Sequence, residues 1–295
     1  MTDSSPEVIA IFGPTASGKS AVAEALATRL GTEVVSADAL QVYRGLPILT
    51  NQPERPTRLV AIRSLDGDMS LGEYADLAHA ALDELVELNG AAVITGGTGL
   101  YLRAALVELE MPPAPENGAR ERWQTFYDRD PGAAHVRLAA LDPAAAAIVH
   151  RNDRRRVVRA LELAEIGSSL VPKRDRLWSN EMRRPTLVVG LDTTCEALET
   201  RIRARTEQMF VRGVVDEVHK ASSRPISRTA EKTLGFRELV DLTPQEALER
   251  IVARTRRYAA YQRKWMRRIP GIVMINADRS PEQVADEILD VARAR

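Results

Sequence analysis

Val8-Ile9-Ala10-Ile11-Phe12 runs directly into Gly13-Pro14-Thr15-Ala16-Ser17-Gly18-Lys19-Ser20, and this join decides the fold. The apolar run reads as a strand buried on both faces. The residues after it fit the phosphate-loop pattern G-x-x-x-x-G-K-[ST] at every fixed position. Ala21, Val22, Leu26 and Leu30 then follow at helical spacing. Strand, loop and helix in that order turn successive backbone N–H groups and a helix N-terminus toward one anion. Lys19 adds a positive charge on the phosphates, and the Ser20 hydroxyl is placed to reach Mg2+. The loop predicts a polyphosphate ligand. It leaves open whether the phosphates belong to a nucleotide or to a leaving group.

Further along, Glu33-Val34-Val35-Ser36-Ala37-Asp38 reads as a short strand ending in a carboxylate. Ser70-x-x-Glu73 is a capping box, opening a helix that runs to about Asn89-Gly90. Ala91-Ala92-Val93-Ile94-Thr95 is another buried strand, ending in Gly96-Gly97-Thr98-Gly99. Strands alternating with helices predict an α/β fold with a P-loop NTPase-like parallel sheet. Ligands of such sheets collect at the carboxyl ends of the strands. The loop, Asp38 and the Gly96–Gly99 turn all fall there.

The pattern changes at Met111-Pro112-Pro113-Ala114-Pro115, which reads as a boundary. From there to about residue 184 the chain is Ala/Arg-rich and helical, and Thr186–Leu191 returns to strand character. The expected organisation is an α/β core of residues 1–110 and 185–295 carrying a helical insertion of residues 111–184. In the last third, Thr193-x-x-Glu196 is expected to cap a helix that includes Leu198, Ile202 and Met209 and stops near Gly213. Thr243-Pro244-Gln245-Glu246 and Ser280-Pro281-Glu282-Gln283 open two more helices, with Ile272–Ile275 as a late strand between them.

Composition sets outer limits. The chain has 295 residues, 44% hydrophobic and 28% charged, which is ordinary for a globular protein. Its one cysteine, Cys195, excludes an intramolecular disulfide and a thiol-metal cluster, and is expected to be partly buried and inert. His79, His135, His150 and His219 lack ligand spacing. There is no apolar run of membrane-span length, and the N-terminus lacks a basic region. A cytoplasmic, monomeric enzyme with no membrane partner is expected.

The 41 basic residues balance the 41 acidic ones, but the positive charge is concentrated. Arg151, Arg154, Arg155, Arg156 and Arg159 are opposed only by Asp153. Arg254, Arg256, Arg257, Arg263, Lys264, Arg267 and Arg268 form a second cluster with no acid among them, interleaved with Tyr258, Tyr261 and Trp265. Each is either a solvated helix face or a phosphate-backbone surface with aromatic platforms for unstacked bases. Concentrated charge on a neutral chain leans toward nucleic acid. Asp38 itself reads equally well as a general base or as a ligand of Mg2+ or of a substrate hydroxyl.

An ordered series of motifs now resembles a known family. It begins with Gly13–Ser20, Ser36-x-Asp38-x-x-Gln41-x-Tyr43-Arg44-Gly45 and Gly96-Gly97-Thr98-Gly99-Leu100-Tyr101. Asn152-Asp153 leads to Arg159-Ala160-Leu161-Glu162, and Arg201-Ile202 precedes Arg205, Met209 and Gly213. Glu217-Val218, Lys232-Thr233-Leu234-Gly235-Phe236-Arg237-Glu238 and Thr255-Arg256-Arg257-Tyr258-Ala259 complete the series. Together these are similar to the tRNA dimethylallyltransferase (IPP transferase) family over nearly the whole chain.

The resemblance implies transfer of a dimethylallyl group from dimethylallyl diphosphate to N6 of adenosine at tRNA position 37, in the anticodon stem-loop. It implies that the loop cradles a diphosphate leaving group, with Lys19, Arg205 and Mg2+ near Ser20 around it. Asp38 would be the general base and Thr98 would orient the reacting groups. Asp38, Ala39, Leu40, Gln41, Thr98, Arg120, Arg155, Arg156, Arg159, Lys232, Gly235, Phe236 and Arg237 match the family's tRNA-contacting positions. The insertion would grip the anticodon stem-loop.

The chain departs from the family pattern at Ala39, Gln52, Arg151 and Tyr261, none of which is assigned to chemistry. One rival reading is a small-metabolite kinase, which leaves the arginine clusters without a role. Another is a non-catalytic RNA-binding switch, which leaves Asp38 and Thr98 without one. Prenyl donation to free AMP or ADP would need no insertion.

Overall fold

The computed structural model describes residues 5–109, 113, 118–171 and 176–295. Contacts divide the chain into two units, one of residues 1–108 and 177–295, the other of residues 109–176. The proline cluster expected at the boundary lies largely outside the described residues.

In the first unit, strands β1 (Val8–Phe12), β2 (Val34–Ser36), β3 (Thr57–Arg58), β4 (Ala92–Gly96), β5 (Thr186–Asp192) and β6 (Val273–Asn276) form one sheet in the order β3-β2-β4-β1-β5-β6. Every pairing is parallel. β1 and β4 are buried along their full length, as strands covered on both faces must be. The short edge strand β3 was not legible as a strand, because Thr57-Arg58 offers no apolar period.

Helix α1 (Lys19–Leu30) packs Val22, Ala23 and Leu26 against Ile9, Ile11 and Val189. Full burial of a side chain such as Leu26 contributes about 1.5–3 kcal/mol. Helix α2 (Leu71–Asn89) starts where the Ser70 hydroxyl accepts the Glu73 N–H, as expected. It packs beside helix α3 (Gly99–Leu106), with the Tyr74 and Tyr101 rings 4.1 Å apart.

The second unit holds helices α4 (Ala119–Arg129), α5 (Pro131–Leu141), α6 (Pro143–Ile148) and α7 (Arg154–Glu165). It has a core of its own, including Tyr127, Leu138, Val157 and Leu161. Asp130, Asp142 and Asp153 cap the starts of α5, α6 and α7.

The unit boundary after Arg176 is earlier than the expected 184. The reason is Arg103, fully buried, which donates to the carbonyls of Leu177 (2.6 Å) and Ser179 (2.8 Å) and so ties that stretch to α3.

The chain finishes with α8 (Cys195–Val211), α9 (Val214–Ser222), α10 (Phe236–Asp241), α11 (Pro244–Met266) and α12 (Pro281–Arg293). Thr243 and Ser280 open α11 and α12 as expected, each with a reciprocal capping box. The start of α8 is a correction: Thr194, not Thr193, caps it by accepting from the Ala197 N–H. The Thr193 hydroxyl donates to Asp278 instead. Cys195 is likewise exposed rather than partly buried, because it sits on the outer first turn of α8, where Sγ accepts from Arg263 at 2.9 Å.

Candidate active site

The loop between β1 and α1 is shaped by its backbone. Ala16 and Gly18 take left-handed φ values of 65° and 88°. A non-glycine residue in that region costs roughly 1–3 kcal/mol and marks functional strain. Gly18 is the N-cap of α1 and supplies no side-chain cap, so the first-turn N–H groups of α1 face outward from the sheet end. Lys19 Nζ donates to the Pro14 carbonyl at 2.7 Å.

Around this loop lies a cavity of about 340 Å3, lined by Lys19, Ser20, Asp38, Thr95, Arg205 and Tyr258 among others. The loop, Asp38 and the Gly96–Gly97 turn, expected together at the carboxyl ends of the strands, share it. Arg205, on α8, joins them and donates to Thr15 Oγ1 at 2.7 Å.

Electrostatics follow from burial. Lys19 is brought down to about 7, first by burial and then by the neighbouring Arg205 guanidinium, against the pull of Asp38. Asp38 is pushed above the usual carboxylate range by burial, although the Leu40 N–H (2.9 Å), Lys19 and Arg205 oppose that shift. Arg205 is lowered by burial, with Asp38 acting against it.

Thr98 Oγ1 accepts from the Ala39 N–H at 3.3 Å, so the Gly96–Gly99 turn is fastened to the residue after Asp38. Gln41 is held by Ser36 (2.8 Å) and reaches the carbonyls of Thr50 and Asn51 in the cavity wall. The half-buried Leu40 and Ala39 form the turn between Asp38 and Gln41.

Oxygen donors suited to a hard cation converge here. Ser20 and Asp38 line the cavity, and Thr95 Oγ1 is buried with no hydrogen-bond partner. Among the described residues no group of three acidic, histidine or cysteine side chains could hold a metal. These few oxygens fit Mg2+ that takes its remaining ligands from phosphate and water.

Two residues that shape this site were given no role above: Gln262 lies in no motif read there, and Glu217 appears only within the family series. Gln262 on α11 is 2% exposed; its Oε1 accepts from the Thr15 N–H at 2.7 Å and its Nε2 donates to the Gly97 carbonyl at 2.8 Å. A signal existed, since Gln262 sits in the buried stripe of α11 with Val252, Thr255, Ala259 and Met266, where an amide is out of place unless partnered. Glu217 on α9 accepts from the N–H groups of Ile48 and Leu49, both at 2.8 Å, and so holds the segment that leads to Thr50 and Asn51.

Gly97 and Gly99 are required by α11. A Cβ on Gly97 would strike the Gln262 amide and one on Gly99 the Trp265 ring.

The remaining expected RNA-contact positions are dispersed. Lys232 and Arg237 lie near the start of α10, where Arg237 pairs with Glu231 at 2.5 Å. Phe236 is 3% exposed and packs with Leu46, Leu49 and Ile251. Its ring is core, so it is not available for stacking. Gly235 has φ 98°, and a Cβ there would crowd Leu49 and Ile251.

In the second unit, Arg120 and Arg159 bracket the buried Glu162, at 2.8 and 2.9 Å. Arg155 and Arg156 are exposed on α7.

The second basic cluster is acid-free only in sequence. Arg254 meets Glu238, Arg256 meets Glu199 at 3.4 Å and Arg263 meets Asp192 at 2.8 Å. Arg268 lies 4.0 Å over the Trp178 ring, which stacks on Trp265. Arg257, Lys264 and Arg267 remain exposed.

An anion loop with a lysine and an arginine, facing a carboxylate across one cavity, defines a group-transfer site whose leaving group is a polyphosphate. The IPP transferase family model matches residues 41–269. A tRNA dimethylallyltransferase of Corynebacterium jeikeium is 36% identical over 96% of each chain. Another, of Streptomyces coelicolor, is 37% identical over 90% of this chain and 89% of its own. The crystal structure of the full-length tRNA isopentenylpyrophosphate transferase of Bacillus halodurans matches with a TM-score of 0.69 and 29% identity, covering 98% of this chain and 97% of the other. A eukaryotic dimethylallyltransferase acting on tRNA shares the fold, with a TM-score of 0.77 at 24% identity over 97% of this chain and 79% of its own. The chain belongs to the IPP transferase family.

Proposed function

We propose that this chain transfers a dimethylallyl group from dimethylallyl diphosphate to N6 of adenosine at position 37 of tRNA. The observation that carries this is Asp38 lining the same cavity as Lys19 and Arg205. The allylic C–O bond breaks and its electron pair leaves with the diphosphate. Loop N–H groups, Lys19 and Arg205 stabilise the charge that develops there. The adenine nitrogen forms the new C–N bond and its proton passes to Asp38, a base of raised proton affinity. Mg2+, held near Ser20, would supply further charge on the leaving group. Thr98 and the Gly97 carbonyl position the acceptor edge. The adenosine must leave its stack to enter, the general solution for chemistry on a base.

The α7 arginines of residues 109–176 fit phosphate contacts to the stem-loop, with Arg155 and Arg156 exposed for that purpose. Lys232 and Arg237 fit the same role in the other unit.

The test is transfer of label from dimethylallyl diphosphate, with Mg2+, to an unmodified anticodon stem-loop carrying A37, with free AMP and ATP competing. Label on the stem-loop alone is expected. Label on free nucleotide moves the reading to nucleotide prenylation, and ATP hydrolysis without transfer moves it to a kinase or switch.

A further inference from the structure

We infer that Gln262 is a positioning residue that links the diphosphate loop to the acceptor-side turn, so that diphosphate and RNA bind with mutual dependence. This rests on the transferase reading above for the identity of the two ligands.

The amide is fixed in one sense. The Thr15 N–H can only donate and the Gly97 carbonyl can only accept, so Oε1 must face the loop and Nε2 the turn. Gln262 is 2% exposed, and neither bond can be exchanged for water without opening the site.

The two bonds close a continuous chain. Arg205 donates to Thr15 Oγ1 (2.7 Å), the Thr15 N–H donates to Gln262, and Gln262 donates to Gly97. The next residue, Thr98, accepts from the Ala39 N–H beside Asp38 (3.3 Å). One end of this chain handles the leaving group and the other sets the base and the acceptor edge. Gly97 has no room for a side chain on its Gln262 side, so the turn cannot move toward α11 without displacing the amide. A shift of the loop on binding a polyanion is therefore delivered to the acceptor turn through the Gln262 amide, beyond the point where the β1–β4 backbone pairing ends at Phe12 and Gly96. Linkage of this kind is reciprocal, and typical coupling spans 5–150-fold.

The experiment measures the affinity of the full chain for an unmodified anticodon stem-loop, with and without saturating inorganic diphosphate and Mg2+. No donor is present, so nothing turns over. In the wild type, diphosphate is expected to change RNA affinity at least roughly fivefold, and RNA to change diphosphate affinity by the same factor. In Gln262→Met, of similar length but without either hydrogen bond, each ligand is expected to bind alone within a few-fold of wild type while the mutual effect falls to about one. In steady-state transfer by the same variant, kcat is expected to drop roughly 10–100-fold with both KM values changed far less, as for lost orientation.

Gln262→Glu is the second variant, for the case that Met disturbs packing. Measured at a pH where its carboxyl is ionised, it retains an acceptor for Thr15 and loses the donor to Gly97, and it too must lose the mutual effect. Persistence of the effect in either folded variant, or its absence in the wild type, overturns the inference. A wild type that binds both ligands with mutual dependence but transfers no prenyl group overturns the transferase reading alone.

Discussion

Glu217 on α9 receives two consecutive backbone N–H groups, those of Ile48 and Leu49, at 2.8 Å each. One carboxylate thereby holds the segment whose next residues, Thr50 and Asn51, wall the cavity. Burial pushes its proton affinity up, and the two N–H groups push it back down. Glu217→Ala leaves two donors without a partner, each worth about 1–3 kcal/mol when desolvated. A thermal melt is expected to show a clear fall in Tm, with Glu217→Gln intermediate. A Tm equal to wild type would mean that the segment is held without Glu217, by the bonds of Gln41 to the Thr50 and Asn51 carbonyls and of Gln52 to the Tyr43 carbonyl.

Asp38→Asn keeps the shape of the site and removes the base. Transfer is expected to fall about 10²–10⁴-fold with little change in RNA affinity. The pH dependence has a defined sign. Burial raises Asp38 above 3.8, so the neutral acid persists to higher pH, and the acid limb of the transfer rate lies above the ordinary carboxylate titration. Single-turnover rates against pH check this; a limb at or below the ordinary value would show that burial does not dominate at Asp38 in the working complex, and a limb unchanged in Asp38→Asn would remove Asp38 as the base.

Lys19 behaves in the opposite sense. With its proton affinity lowered from 10.5 to about 7, it is neutral above that pH until a polyanion draws a proton back to it. Diphosphate binding between about pH 7 and 10.5 is expected to take up a proton at Lys19, and affinity to weaken as pH rises through that window. Calorimetry in buffers of different ionisation enthalpy measures the uptake. Subtracting Lys19→Met removes the contribution of the ligand's own titration, and a zero difference refutes the assignment.

Glu162 is buried between Arg120 and Arg159. Burial alone would raise it, but hydrogen bonds from the two guanidinium groups outweigh burial and hold it below 4.5. For a lowered carboxylate, the stabilisation is present above the unfolded value and is lost as pH falls through the folded one. Glu162→Ala is therefore expected to destabilise the unit of residues 109–176 at neutral pH, by about 1–3 kcal/mol given the exposure of Arg120. That deficit should shrink as pH falls below the ordinary value of 4.5 and through the lowered one. Denaturation at pH 7 and pH 3.5 tests both statements.

Arg156 is exposed on α7. Arg156→Ala is expected to weaken stem-loop binding across sequences and reduce the salt slope by about one. An unchanged slope would take Arg156 off the RNA surface.

Much of this site could be read from the sequence, for a physical reason. The phosphate loop, Asp38 and the Gly96–Gly99 turn are backbone devices, and a turn writes itself into adjacent residues. Gln262, 247 residues from Thr15, acts across the chain, and no local pattern encodes that separation; Glu217 stood in the family series, but its hold on Ile48 and Leu49 could not be read there. Phe236 shows the converse. Its neighbours Lys232 and Arg237 suggest a surface, yet its ring fills the core beside Leu49. The second basic cluster is thinned in the same way, since Glu199, Glu238 and Asp192 pair with three of its seven cations from other elements.

The lateness of α8 and α11 in the chain has a consequence for synthesis. The strand β1 and the loop leave the ribosome well before Arg205 and Gln262. At about 5–20 residues per second, the interval from Lys19 to Gln262 is on the order of 10–50 s. Throughout it the nascent protein carries the phosphate motif without at least one of the two side chains that complete its walls. A chain cut short within that interval would present the motif and lack the enzyme.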